Sequence, residues 1–221
     1  MNDFQKVGGV AALIDAATYV VGLGLFFTLL APILDAEPDQ YVAFLVDNQA
    51  LMYVWHLIIY VINGVFLVVL ALALYERLKA GSPAMAQTAT AFGLIWAVTV
   101  IISGMLIIND LGVIADLYSE DPAQAVSAWL VLDAVESGLG GAVELPGGLW
   151  VLLISLAALR TGGFPRALNY LGVVIGVAGI LTVVPALDVL GIVFGLGFIV
   201  WFVWVGIVML RGGPSAARKP R

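Results

Sequence analysis

Long apolar runs dominate the order of hydrophobic and polar positions. They cover residues 8–34, 48–75 and 80–109, a fourth run ending at Leu159, and residues 167–187 and 189–210. A helix needs about 20 predominantly apolar residues to cross the hydrocarbon core of a bilayer. The runs 48–75 and 80–109 contain no Asp, Glu, Lys or Arg, whereas the first holds Asp15. The pattern predicts an all-α integral membrane bundle of six transmembrane helices. It forms a single domain over residues 1–211, followed by a short basic tail at 212–221.

The fourth run is the irregular one. Residues 138–148 hold five glycines and Pro146. The stretch 122–160 drawn as one helix would be about 58 Å long at about 1.5 Å per residue, too long for a bilayer. It is therefore expected to form an outer helix over about 123–138, then a bend or break, then the fourth span. Pro32, Pro83, Pro122 and Pro165 fall at run ends, where a missing N–H matters least. Pro146 stands out as an interior proline.

Charge sets the orientation. With six spans, all nine basic residues (Lys6, Arg77, Lys79, Arg160, Arg166, Arg211, Arg218, Lys219 and Arg221) fall on the side that holds both termini. The opposite loops carry only acidic charges, from Asp35 to Asp188. Basic loops stay cytoplasmic, so the expected topology is multi-pass in the cell membrane with both termini cytoplasmic. Lys6 before an apolar run resembles the start of a signal peptide. However, Asp15 interrupts that run and no small-x-small cleavage site closes it, so it reads as a retained span.

Composition closes off other classes. The chain is 62% hydrophobic and 11% charged, against about 25% charged in an average soluble domain. The absence of cysteine removes disulfides, thiolate metal sites and Cys nucleophiles. A net charge of −6 argues against a nucleic-acid partner and leaves the lipid bilayer as the first one. A single histidine rules out bis-His haem within one chain. Hydrolase, P-loop and dinucleotide motifs are absent, so the chain reads as a non-enzyme without a cofactor.

Polar residues inside the runs fall on helical faces. Tyr53, His56, Tyr60 and Asn63 share one face of the second run, and Trp96, Thr99, Ser103 and Asp110 share one of the third. Asp133, Glu136, Gly140 and Glu144 follow the same spacing in the fourth, and Asp15, Tyr19 and Gly22 in the first. Lipid cannot satisfy such groups, so the faces should converge. Depth counting gathers His56, Asn109, Asp110, Glu136 and Glu144 around one outward-facing polar pocket. Asp15 makes a separate inner polar site. Nitrogen and oxygen ligands of this kind suit a divalent cation, and Glu144 below the outer interface suits a proton-coupled step.

Small residues suggest close helix contacts. Gly172 with Gly176, and Gly191 with Gly195, form GxxxG pairs. These pack helices within the bundle or form the seam of a homo-oligomer. Trp129, Trp55 and Tyr53 read as outer-belt aromatics, while Trp201 and Trp204 read as packing residues. A 3+3 inverted repeat of transporter type is compatible with six spans.

The first run ends in Pro32-Ile33-Leu34-Asp35, and Leu74-Tyr75-Glu76-Arg77-Leu78 precedes a short inner loop. Phe164-Pro165-Arg166-Ala167-Leu168, followed by Gly172, opens the fifth run. On these segments the chain resembles an uncharacterised multi-pass membrane family of bacteria and archaea, known only as a domain of unknown function. That resemblance covers nearly the whole chain and implies the architecture without assigning any site residue. Two functional readings follow. One is a small-ligand, cation or proton-coupled transporter or binding subunit with an outward-facing polar pocket. The other is a structural or accessory membrane subunit whose polar residues only specify helix packing.

Overall fold

A computed structural model describes residues 3–141 and 144–212. About 90% of these residues are helical, with no strand among them. In order, the elements are α1 (Asp3–Leu25), α2 (Pro38–Asp47), α3 (Gln49–His56), α4 (Asn63–Leu78) and α5 (Pro83–Glu120). Then come α6 (Pro122–Glu136), α7 (Glu144–Thr161), α8 (Arg166–Leu181) and α9 (Leu190–Arg211). Single π-helical turns occupy Phe26–Leu30, Leu57–Ile62 and Ser137–Gly141.

Among the described residues, five helical stretches are long and apolar enough to cross a membrane: Asp3–Ile33, Gln49–Leu78, Pro83–Glu120, Pro122–Thr161 and Leu190–Arg211. The expected span at 167–187 is instead a shorter helix, Arg166–Leu181, of 16 residues. The reason is local. Pro185 disfavours helical geometry at the residue before it, and Val184 is extended at φ −87° and ψ 114°. The Thr182 hydroxyl then closes the helix end by donating to the Gly179 carbonyl at 2.7 Å.

The third run also differs from its expected end at Asn109. α5 continues to Glu120 because Leu111, Ile114 and Leu117 carry the apolar stripe onward. Ile114 packs with Val42 of α2 and Ala125 of α6 in one buried cluster. The start of α6 is well specified. Pro122 occupies its first turn, and the Asp121 carboxylate caps it by accepting from the Ala123 and Gln124 backbone N–H groups at 3.0 and 3.2 Å. α6 ends at Glu136, close to the outer helix expected over 123–138. Within the segment 138–148, where the bend was expected, residues 142–143 lie outside the described residues. Pro146 lies in the first turn of α7 rather than deep in a helix, where its missing N–H costs little.

The contacts divide the chain into two compact units. The first takes residues 1–17, 64–98 and 143–221, and the second takes 18–63 and 99–142. The six Lys and Arg among the described residues, Lys6, Arg77, Lys79, Arg160, Arg166 and Arg211, belong to the first. The second holds Asp35, Glu37, Asp39, Asp47, Asp110, Asp116, Glu120, Asp121, Asp133 and Glu136, and not one Lys or Arg.

In the first unit α7 packs closely along α8, and the core is aromatic. Trp96, Trp150, Phe198 and Trp201 are all buried, with Trp150 lying 5.5 Å from both Trp96 and Trp201 between ring centroids. Gly172 and Gly176 are buried on the face of α8 turned to α7, so both serve contacts within the chain. Gly195 has open space where a Cβ would stand. Asp15 is fully buried in this unit.

In the second unit Leu30, Leu45, Met52, Trp55 and Leu111 form the core. Trp55, expected in an outer aromatic belt, is therefore a core residue, because α3 turns it onto Met52 and Leu45. Trp129 packs against the same cluster. Tyr53, two residues from Trp55, remains exposed.

Candidate functional site

The second unit encloses a cavity of about 110 Å³. At about 10–15 Å³ for each water-sized probe, it has room for several waters or a ligand of a few heavy atoms. Each contributing helix offers one face. Ile107, Asp110, Leu111 and Ile114 follow the i, i+3, i+4, i+7 stripe on α5, and Trp129, Leu132, Asp133 and Glu136 repeat it on α6. Tyr41 on α2 and Met52 with His56 on α3 complete most of the wall.

Three carboxylates and one imidazole thus share a chamber whose remaining surface is apolar or aromatic. The unit contributes no cationic Lys or Arg to offset them, so the field inside is negative. Burial raises the Tyr41 phenol above its ordinary pKa, and the neighbouring Asp133 and Glu136 carboxylates raise it further. Tyr41 therefore stays a neutral hydroxyl with a π face, and its ring lies 4.9 Å from that of Trp129. His56 donates from Nδ1 to the Met52 carbonyl oxygen at 2.6 Å, which leaves Nε2 as the acceptor of the neutral ring. Its ring stacks on Tyr60 at 5.9 Å with an interplanar angle of 8°.

All three π turns belong to this unit, and each abuts the cavity. Leu30, the last residue of the first, lines it; His56 and Glu136 immediately precede the other two. A π turn inserts one extra residue into a helix and re-aims the side chains beside it, and such turns concentrate at functional sites.

Of the residues expected around a pocket, His56, Asp110 and Glu136 meet at this cavity. Asn109 does not line it; it is exposed, and its side-chain amide donates to Asp110 Oδ1 at 3.4 Å. Glu144 belongs to the first unit, in the first turn of α7. Asp15 belongs to the first unit as well. Tyr41, Trp129 and Asp133 join the site without having been singled out for it. The signal for Asp133 was its place three residues before Glu136 on one helical face. Tyr41 lies in an acidic stretch too short to read as a span, and so carried none. Among the described residues, no three His, Asp or Glu side chains are grouped to hold a metal ion.

Comparison with curated proteins and with solved structures finds no match. A family model described as a domain of unknown function (DUF4386) matches residues 7–207, and the chain belongs to that family.

Proposed function

We propose that this protein crosses the cell membrane six times with both termini cytoplasmic. We further propose that the acidic cavity faces outward and takes a small organic cation, as a binding or transport step rather than an enzymatic one. The fifth crossing is α8, whose shortness the bilayer accommodates by local thinning. The fall of every Lys and Arg on the side of the termini in a six-span reading of the sequence supports the orientation. The observation that carries the ligand reading is the shared cavity of Asp110, Asp133, Glu136 and His56, walled by Tyr41 and Trp129. Carboxylates neutralise an ammonium group, and aromatic faces attract it through their quadrupoles.

Thermal unfolding of the purified protein tests the ligand reading. Choline or methylammonium should raise the midpoint above that in sodium chloride of equal ionic strength. In the Asp133→Asn, Glu136→Gln double variant that difference should vanish. An equal effect of sodium, or a response that survives the double substitution, overturns the reading. The alternative, a subunit whose polar groups only hold the bundle, draws on the buried hydrogen bond from the Asn63 amide to the Thr18 hydroxyl at 2.9 Å. It expects the double variant to lose stability without any cation having stabilised the parent.

Topology has its own test. A reporter active only in the cytoplasm should work when fused after Arg221 and fail when inserted beside Glu120. Activity at Glu120 reverses the orientation and places the cavity on the inner side.

A further inference from the structure

A second, larger cavity lies in the first unit, and neither the family nor the proposed ligand accounts for it. Its volume is about 400 Å³. The segment 162–165 forms one wall, and a stripe of α9 forms the other: Trp204, Ile207, Val208 and Arg211, at i, i+3, i+4 and i+7. Arg77, in the last turn of α4, contributes a second guanidinium. Arg77 is only 6% exposed. Its Nε donates to the Gly163 carbonyl at 3.0 Å, its Nη1 donates to Gln5 Oε1 at 3.1 Å, and its guanidinium lies 4.6 Å above the Phe164 ring.

From Trp204 to Arg211 the stripe rises about 10 Å, at about 1.5 Å per residue. It passes from aromatic and aliphatic surface to positive charge over that length. No carboxylate lines the cavity among the described residues, and Arg211 has no ion-pair partner among them. We infer that this cavity binds an anionic phospholipid, with the headgroup phosphate at Arg211 and the glycerol and upper acyl chain along Phe164, Ile207 and Trp204. An anionic amphiphile matches both ends of the cavity, and the anionic lipids of a cytoplasmic leaflet are attracted to basic groups near its surface. The chain's own tail fits poorly, since Arg218, Lys219 and Arg221 give it the sign of the lining. This inference rests on the membrane location alone and stands or falls separately from the cation site.

Tryptophan quenching by brominated lipid tests it. The full-length protein is placed in vesicles holding brominated phosphatidylglycerol or brominated phosphatidylcholine, and Trp204→Phe isolates the Trp204 signal. We expect Trp204 to be quenched at lower mole fractions of the brominated phosphatidylglycerol. Arg211→Gln should weaken that preference about fivefold, the effect of one basic group near a lipid phosphate, and Arg211→Lys should retain it. Arg77 is left intact because it holds the 162–165 segment. Equal quenching by both lipids, or an unchanged preference in Arg211→Gln, overturns the inference. Displacement of the brominated phosphatidylglycerol by inorganic phosphate overturns it too, by reassigning the cavity to the free anion.

Discussion

Gly148→Ala and Gly176→Ala should each destabilise the protein by about 3 kcal/mol, at the upper end of what overpacking costs, while Gly195→Ala should not. A Cβ on Gly148 would lie 2.8 Å from the Gly176 carbonyl oxygen and 2.9 Å from the Ile180 backbone nitrogen. A Cβ on Gly176 would lie 2.8 Å from the Gly148 carbonyl oxygen and 2.7 Å from Leu152 Cβ. The obstructing atoms are backbone, or side-chain atoms attached directly to it, so no rotamer change relieves them. One helix must move away from the other, and the contacts along the whole α7–α8 seam loosen together. Within a bilayer that seam rests on close van der Waals approach, because lipid supplies no hydrophobic force between helices.

The control sharpens the argument. Alanine is better than glycine inside a helix by about 1 kcal/mol, so Gly195→Ala, with nothing within 4 Å, should be neutral or mildly stabilising. The measurement is the loss of the monodisperse gel-filtration peak after heating in mild detergent. If Gly172 and Gly176 joined two copies instead, Gly176→Ala would change the oligomeric mass and leave the folded fraction intact. We expect the reverse.

Much of the fold was legible because its driving pattern is coarse. An apolar run free of charge, such as 80–109, must be buried in lipid or protein whatever its neighbours are. Helix ends were less legible. α5 runs on to Glu120 because Ile114 finds Val42 and Ala125, and that contact depends on two other helices. The helix α2 left no span-length signal, since ten residues are too few to cross a bilayer. The site was half legible. Spacing on one helix put Asp133 and Glu136 together, and depth added His56 and Asp110. Depth also suggested Asn109, which is adjacent to Asp110 in sequence but turned about 100° around the helix, and so faces outward. The π turns were invisible, because no residue type encodes one and each depends on the surrounding packing.

Leu132→Lys should abolish the response to organic cations while leaving the protein folded. Leu132 lines the cavity one position before Asp133, on the α6 stripe that also carries Trp129 and Glu136. A lysine there tethers an alkylammonium in the chamber proposed to receive one, in effect a permanently bound ligand. Burying an unpaired charge is costly, but here three carboxylates line the same space and no Lys or Arg in the unit competes for them. A free cation at a hundred times its dissociation constant stabilises a one-site protein by about 2.7 kcal/mol, and in Leu132→Lys that increment should fall to near zero. Leu132→Met, which conserves volume and adds no charge, should keep it. Glu136→Gln should then cost more in the lysine background than in the parent, with a coupling of about 1 kcal/mol, as residues in direct contact show. If Leu132→Lys still responds to choline as the parent does, the ligand binds elsewhere. If Leu132→Met silences the response as well, shape rather than charge governs the cavity, and the organic-cation assignment fails.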